Sequence, residues 1–430
     1  MKCVIFTPVT VRSAIGRMAR LVTLALREKG HEVTVVRSEV PDNFKGPTHD
    51  FDCPILQWNQ QDKVHAAIVA SDFVVYHIGN HLGFHQGCLN WLTVSPGIVC
   101  LHDYYLGNLF YGAYDTERET GKAIVRNWYG EEISQRYFTY KSSDEFISQT
   151  NLLAPMTEWI CSMAVAVLTH SGWAIDRVLR SCPGPVNVVP LAYEALTDVV
   201  SESITRSEDE VFRLITIGHV NPNKRVRSVI QAIAASPRLR EKIEYELVGF
   251  VEESIRIELI RFATKHNVRL KIAGEVDDTA LATAIRRADA ISCLRSPILE
   301  SGSASVIEAM LEGKPTLVTN AAHYSEIPDG CVVKIRPENE IADITAALEQ
   351  LYSNPQQSLI IGARAKEYAR VNHSASQYAD AVVEIAEQCL SSSAALDALR
   401  FYSSVAQAWG APLSMVSHSE LLNPLKIFED

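Results

Sequence analysis

The chain has 430 residues, 40 Lys+Arg against 51 Asp+Glu, and a formal net charge of −11. Domains run to roughly 100–200 residues, so two or three are expected. A content of 47% hydrophobic and 21% charged residues is ordinary for globular proteins and excludes disorder for the bulk of the chain. The acidic balance argues against nucleic acid as a partner, because neutralising phosphates needs a basic surface.

Met1 to Val11 is too short for a signal peptide and reads as a first strand, Cys3–Phe6. Ala14–Lys29 is predicted helical, with Ile15, Met18, Val22, Ala25 and Leu26 on one face, Arg17, Arg20 and Arg27 opposite, and Gly30 as the stop. Strands follow at Val33–Val36, Phe73–Tyr76, Ile98–Leu101, Val165–Thr169 and Val186–Val189. Their Val/Ile runs lack polar alternation, which implies a parallel sheet buried on both faces. Residues 104–159 break this rhythm with an aromatic-rich, helical insertion. Residues 194–210 hold six acids and one base without apolar periodicity and read as a linker.

The alternation then restarts, with strands at Arg213–Ile217, Tyr245–Val248, Arg269–Ile272, Ala290–Leu294, Thr316–Val318 and Val332–Ile335. Beyond about residue 340 the chain reads as helical. The expected architecture is α/β, with two Rossmann-like doubly wound domains, at 1–193 and 211–390, and a helical tail at 391–430. Such sheets bind ligands at the carboxyl ends of their strands, and the cleft between two of them suits a pair of substrates. The nine cysteines are scattered with no C-x-x-C pair, which excludes a zinc ribbon or thioredoxin-like motif and suits a reduced, cytoplasmic protein. No apolar run approaches the ~18 residues of a membrane span.

Four segments are candidates for chemistry. In Leu294–Pro315 a strand gives way to a small-residue loop, Ser301-Gly302-Ser303, and then a helix. Backbone amides at such a helix start form an anion site. Glu300 and Glu308 flank it, suited to a sugar and a ribose. The plain alternative for Glu308 is a capping box with Ser305. The second segment, Ile217–Arg225, offers Lys224 and Arg225 to a phosphate; cations at a helix start oppose its dipole unless an anion joins them. In the third, His102 ends a buried strand and suits a sugar hydroxyl, or is a histidine fixed by Asp103. The nearby His77, His81 and His85 invite a metal reading but lack a carboxylate at ligand spacing. Fourth, Thr7–Gly16 has the position of a phosphate loop without its glycines. P-loop, dinucleotide and nucleophile-elbow motifs do not occur.

Taken together, Val74–Asn80, Leu101–Asp103, Gly218–Lys224 and Glu300–Pro315, in that order, resemble retaining glycosyltransferase family 4 of the bacterial polysaccharide type, on the two-domain GT-B fold. The resemblance runs from the first strand to about Arg370. It implies a nucleotide-sugar donor on the second domain and a glycan or lipid-linked acceptor on the first. By the same resemblance, Glu300 contacts the donor sugar, Glu308 the ribose hydroxyls, and Lys224 the diphosphate with the amides of Gly302 and Ser303. Ser301, His219 and Arg225 complete the donor side, and His102 touches the sugar from the opposite domain. Gly16 and Asp103 are the acceptor-side candidates. His219 stands where the family often has arginine. The expected reaction moves a hexose from a UDP- or GDP-sugar to an acceptor hydroxyl with retained configuration, without cofactor or metal. A nucleotide-sugar epimerase and a non-catalytic binding subunit are the alternatives. Arg17, Arg20 and Arg27 form either an ordinary solvated face or a peripheral contact at the inner membrane face.

Overall fold

The computed structural model describes residues 1–195, 211–391 and 393–410, so the expected linker lies outside the described residues from 196 onward. The chain divides into two compact units. Met1–His170, Ala174–Val189 and Ser376–Asp430 form the first; Ser171–Trp173 and Pro190–Ala375 form the second. The chain thus leaves the second unit at Ala375 and not at the expected residue 390. The described part of the last segment belongs with the N-terminal sheet.

The first unit holds a seven-stranded sheet: β1 Lys2–Thr7, β2 Glu32–Arg37, β3 Ile55–Gln57, β4 Phe73–Ile78, β5 Ile98–Leu101, β6 Ala166–Thr169 and β7 Val186–Val188. Every pairing is parallel and the order is β3-β2-β1-β4-β5-β6-β7. All residues of β4, β5 and β6 are buried, the two-faced burial their Val/Ile runs imply. The short edge strand β3 was not expected. Its first residue is exposed and the other two are half-buried, and it lacks the apolar run that marked the others.

The first helix, Ala14–Glu28, is capped by the Ser13 hydroxyl, which accepts from the Gly16 N–H. On its polar face Arg20 donates to the Asp50 carbonyl and Arg27 pairs with Asp52. Residues 107–161 contribute five helices and no strand. Their aromatic side chains pack edge to face, with Phe110 5.5 Å from Tyr137 and 4.9 Å from Trp159 between centroids. The helix Ala375–Ser391 returns to this unit through buried Tyr378, Ala379, Val382, Ile385 and Ala386, and Asp380 pairs with Lys29 at 2.8 Å.

The second unit holds β8 Phe212–Ile217, β9 Ile243–Val248, β10 Arg269–Gly274, β11 Ala290–Ser292, β12 Thr316–Thr319 and β13 Val333–Ile335. These strands form a parallel sheet of order β10-β9-β8-β11-β12-β13. One face packs Phe212, Leu214, Tyr245 and Leu247 against Val229, Ile233, Ile344 and Leu348 of the covering helices. Each fully buried aliphatic contributes about 1.5–3 kcal/mol, so these layers hold the sheet ends that carry the site. Among the described residues no helix is long and apolar enough to cross a membrane.

Candidate active site

The strand order of each sheet reverses once, between β1 and β4 in the first unit and between β8 and β11 in the second. A doubly wound sheet opens a crevice beyond the carboxyl ends of such strands. In the second unit that place is lined by the loops Gly218–Arg225, Cys293–Ser303 and Asn320–Glu326.

Two glycines shape the first loop. Gly218 has φ +80, and a Cβ there would lie 3.0 Å from Lys224 Nζ. Gly249 has φ +143, and its Cβ would lie 2.3 Å from the Gly218 carbonyl oxygen. Both backbones need glycine, one to admit the ammonium and one to let the loops touch. Lys224 is 5% exposed, and its Nζ donates to the Ile217 carbonyl. Burial first, then the neighbouring Arg295, push the Lys224 pKa down to about 7; Glu300 and Glu308 pull the other way. Lys224 thus lies within electrostatic reach of both Glu300 and Glu308.

Glu300 is held on three sides. Arg295 Nε lies 3.2 Å from Oε1, Tyr324 donates its hydroxyl to Oε1 at 2.8 Å, and the Leu299 N–H donates to Oε2 at 3.2 Å. Burial alone would raise its pKa, but Arg295 and the Tyr324 hydroxyl outweigh it and keep the carboxyl below its ordinary value. Arg295 is itself buried and donates to the Leu294 carbonyl at 2.9 Å.

The helix Ala304–Leu311 begins beside these groups, with Ser301 and Ser303 buried and Gly302 half-buried before it. Its N-cap is Ser303, so Ser305 lies inside the helix and the capping box with Glu308 does not form. Glu308 is 8% exposed on the buried side of that helix. His219 meets the Phe250 ring edge to face at 5.2 Å, and burial followed by the Lys224 charge lowers its pKa.

One expected donor residue turns away. Arg225 adopts φ +58 and forks onto Glu340, with Nε 2.8 Å from Oε1 and Nη2 2.6 Å from Oε2. Its guanidinium ties the loop to the helix Glu340–Ser353, and this pairing, not a phosphate, satisfies its charge. Arg295, Tyr324 and His323 were missed by sequence reasoning. Arg295 lies shortly after β11 and His323 and Tyr324 shortly after β12, so position in the loops at the carboxyl edge was the available signal.

In the first unit, a Cβ on Gly16 would lie 2.4 Å from the Pro8 carbonyl oxygen. This contact seats the first helix against the end of β1. A Cβ on Gly79 would lie 2.6 Å from Ile15 Cδ1, 2.9 Å from His85 Nε2 and 3.0 Å from Asp103 Oδ2, so Asp103 and Ile15, the neighbour of Gly16, both approach Gly79. Asp103 accepts from the Asn80 N–H at 2.7 Å, and Asn80 Oδ1 accepts from the N–H groups of Asn108 and Leu109. His102 Nε2 lies 2.9 Å from His77 Nδ1, and its ring meets His170 at 4.8 Å. Burial first, then the neighbouring histidines, push its pKa well down, so the imidazole is neutral.

His77 is thus bonded to His102, His81 accepts from the Gly83 N–H at 3.1 Å, and the buried His85 ring bonds the His77 backbone. One Asp-x-Asp spacing occurs, Asp50 and Asp52, and it faces Arg20 and Arg27 instead of a diphosphate site. Among the described residues no group of His, Cys, Asp and Glu is placed to hold a metal.

Residues 201–370 match the family model of glycosyl transferases group 1. No curated protein sequence matches the chain. Among solved structures the chain is similar to sucrose-phosphate synthase from Thermosynechococcus elongatus, with 14% identity, 90% of this chain and 98% of that one covered, and a TM-score of 0.62. It is also similar to WaaG, a glycosyltransferase involved in lipopolysaccharide biosynthesis, with 14% identity, 89% and 99% coverage, and a TM-score of 0.59. HepE of Anabaena, solved in complex with UDP-glucose, is similar at 15% identity, 89% and 98% coverage, and a TM-score of 0.57. These likenesses give the fold: two parallel α/β sheets of the GT-B type.

Proposed function

We infer that this chain, a glycosyltransferase with a group 1 domain over residues 201–370, moves a hexose from a nucleoside diphosphate donor to an acceptor hydroxyl with retained configuration. The observation that carries this reading is the meeting of Lys224, Arg295, Glu300 and Glu308 at the switch point of the second sheet, beside a helix N-terminus. UDP-glucose is the first donor to try, since HepE was solved with it.

Breaking the glycosidic bond leaves charge on the diphosphate. Buried cations and helix amides aimed at that charge stabilise it more than water does, because they need no reorganisation. Lys224 supplies the cation, and the amides at Gly302 and Ser303 supply the dipole. Glu308 suits the ribose hydroxyls. Glu300, kept ionised by Arg295, suits the sugar hydroxyls. A glycosidase-like pair flanking the bond would leave one carboxylate available as nucleophile. Glu300 is instead committed to Arg295 and Tyr324, which supports a front-face route in which the donor phosphate takes the acceptor proton. His102, Asp103 and Gly16 in the first unit are proposed for the acceptor side, with His102 touching the sugar. The acceptor is proposed to be a glycan or lipid-linked hydroxyl.

The test is turnover of a panel of nucleoside diphosphate sugars by wild type and Glu300→Ala. We expect a kcat/KM loss of about 10²-fold or more. Full activity in Glu300→Ala sinks the assignment, and turnover of donor alone to an epimer shifts it to epimerase chemistry.

A further inference from the structure

The loop after β12 buries an imidazole to which the reading above gives no task. His323 lies in the turn Ala322–Glu326 and is 6% exposed; neither ring nitrogen meets a partner in full hydrogen-bond geometry, with the Glu300 backbone the acceptor beside the ring. Leaving buried polar atoms unpaired costs on the order of 1–3 kcal/mol each. Such atoms are uncommon in folded proteins and usually mark a ligand or a water.

Its neighbours say which ligand. The ring lies on Tyr324 with centroids 3.9 Å apart, and the Tyr324 hydroxyl donates to Glu300 at 2.8 Å. His323 also faces the Glu300 carboxylate and backbone. A carboxylate ordinarily favours the protonated form of a neighbouring histidine. Here burial first, with Arg295 opposing Glu300, brings the pKa to about 4. The ring is therefore neutral near pH 7 and offers one N–H donor and one lone pair. A neutral ring beside a carboxylate does not attract a phosphate. It does match a hydroxyl, which also both donates and accepts. The loop after β8 shows the same need, since the buried Oδ1 atoms of Asn221 and Asn223 lack donors.

We propose that His323 is a sugar-contact residue, whose ring nitrogens hydrogen-bond hydroxyls of the transferred sugar beside Glu300 and Tyr324. The assignment rests on the donor-binding reading above and adds a specificity-determining residue to it. Tyr324 then has two duties, orienting Glu300 and backing the imidazole.

The experiment uses the full chain with 15N-labelled histidine, His323 being assigned by the signals lost in His323→Gln. UDP and then UDP-glucose are added, and both ligands are titrated calorimetrically into wild type, His323→Ala and Lys224→Ala. We expect UDP-glucose, and not UDP, to shift the His323 ring signals. We expect His323→Ala to weaken UDP-glucose about tenfold while UDP changes less than about twofold, and Lys224→Ala to weaken both. Ring signals that ignore the sugar while UDP binds in a Lys224-dependent way overturn the His323 contact alone. Equal weakening of UDP and UDP-glucose by His323→Ala overturns it as a merely structural histidine. A wild type that binds neither ligand overturns the donor reading, and this proposal with it.

Discussion

Lys224 is a lysine that the fold makes costly until a ligand arrives. Burial, then Arg295, bring its pKa to about 7 in the ligand-free protein. A diphosphate beside it favours the charged form and raises that value. Nucleoside diphosphate binding therefore takes up protons above pH 7, about one at pH 8 and almost none at pH 6. Affinity falls as pH rises through 7 and beyond. Calorimetry in buffers of different ionisation enthalpy measures the uptake. The same uptake in Lys224→Met protein would count against this account. Arg225, next in the chain, shows the opposite outcome. In sequence it was an equally good phosphate ligand, but φ +58 and the Glu340 carboxylate turn it away. A distant partner made that choice, 115 residues along the chain.

At the scale of elements, the strand–loop–helix junctions carry the chemistry, and glycines set how closely they approach. Gly249 has no chemical group of its own, yet its backbone lies against Gly218, which in turn leaves room for the Lys224 ammonium. Gly249→Ala adds a Cβ 2.3 Å from the Gly218 oxygen at a φ of +143. Overpacking of this kind costs about 1–3 kcal/mol. Because the shift falls on the Lys224 loop, donor affinity should drop together with the urea midpoint. A stability loss with unchanged donor binding would separate the two glycines from the site. The strands were legible wherever a Val/Ile run was buried on both faces, as in β4, β5 and β6. β3 was not, because an edge strand of three residues, none of them buried, leaves no pattern. Ser305-x-x-Glu308 resembles a cap in sequence, but the helix starts at Ala304 and leaves Glu308 to the site.

For the whole molecule, the last described helices complete the first unit although they follow the second in sequence. Truncation after Ala375 removes Tyr378, Val382 and Ile385 from an apolar layer on that unit. Hydrogen exchange should rise in β5 and β6, more than 200 residues away in sequence, while the second unit's core stays protected. Uniform protection would refute this packing role. Acid should also destabilise the chain through its buried histidines. Burial is the largest cause in holding His77 and His85 at about 3 and His323 at about 4, against about 6.5 in an unfolded chain. Between 6.5 and these values the unfolded chain binds more protons than the folded one. Stability is therefore full above about 6.5 and is lost as pH falls through that window. At pH 5, His77 and His85 each remove about 2 kcal/mol. Urea unfolding at pH 7 and pH 5 measures the slope, which His85→Asn should reduce; an unaltered slope would point to other groups.

The sequence by itself determined the alternation of strand and helix, the two doubly wound sheets, and the short stretch that holds Glu300 and Glu308. Those features are local: periodicity, turn residues and spacing act within about 20 residues of chain. Tertiary structure decided which side chains meet. Arg295, His323 and Tyr324 gather around Glu300 because β11 and β12 lie side by side, and Arg225 leaves because the helix at Glu340 packs under its loop. Charge pairing and burial depend on distances in space, which spacing along the chain does not encode.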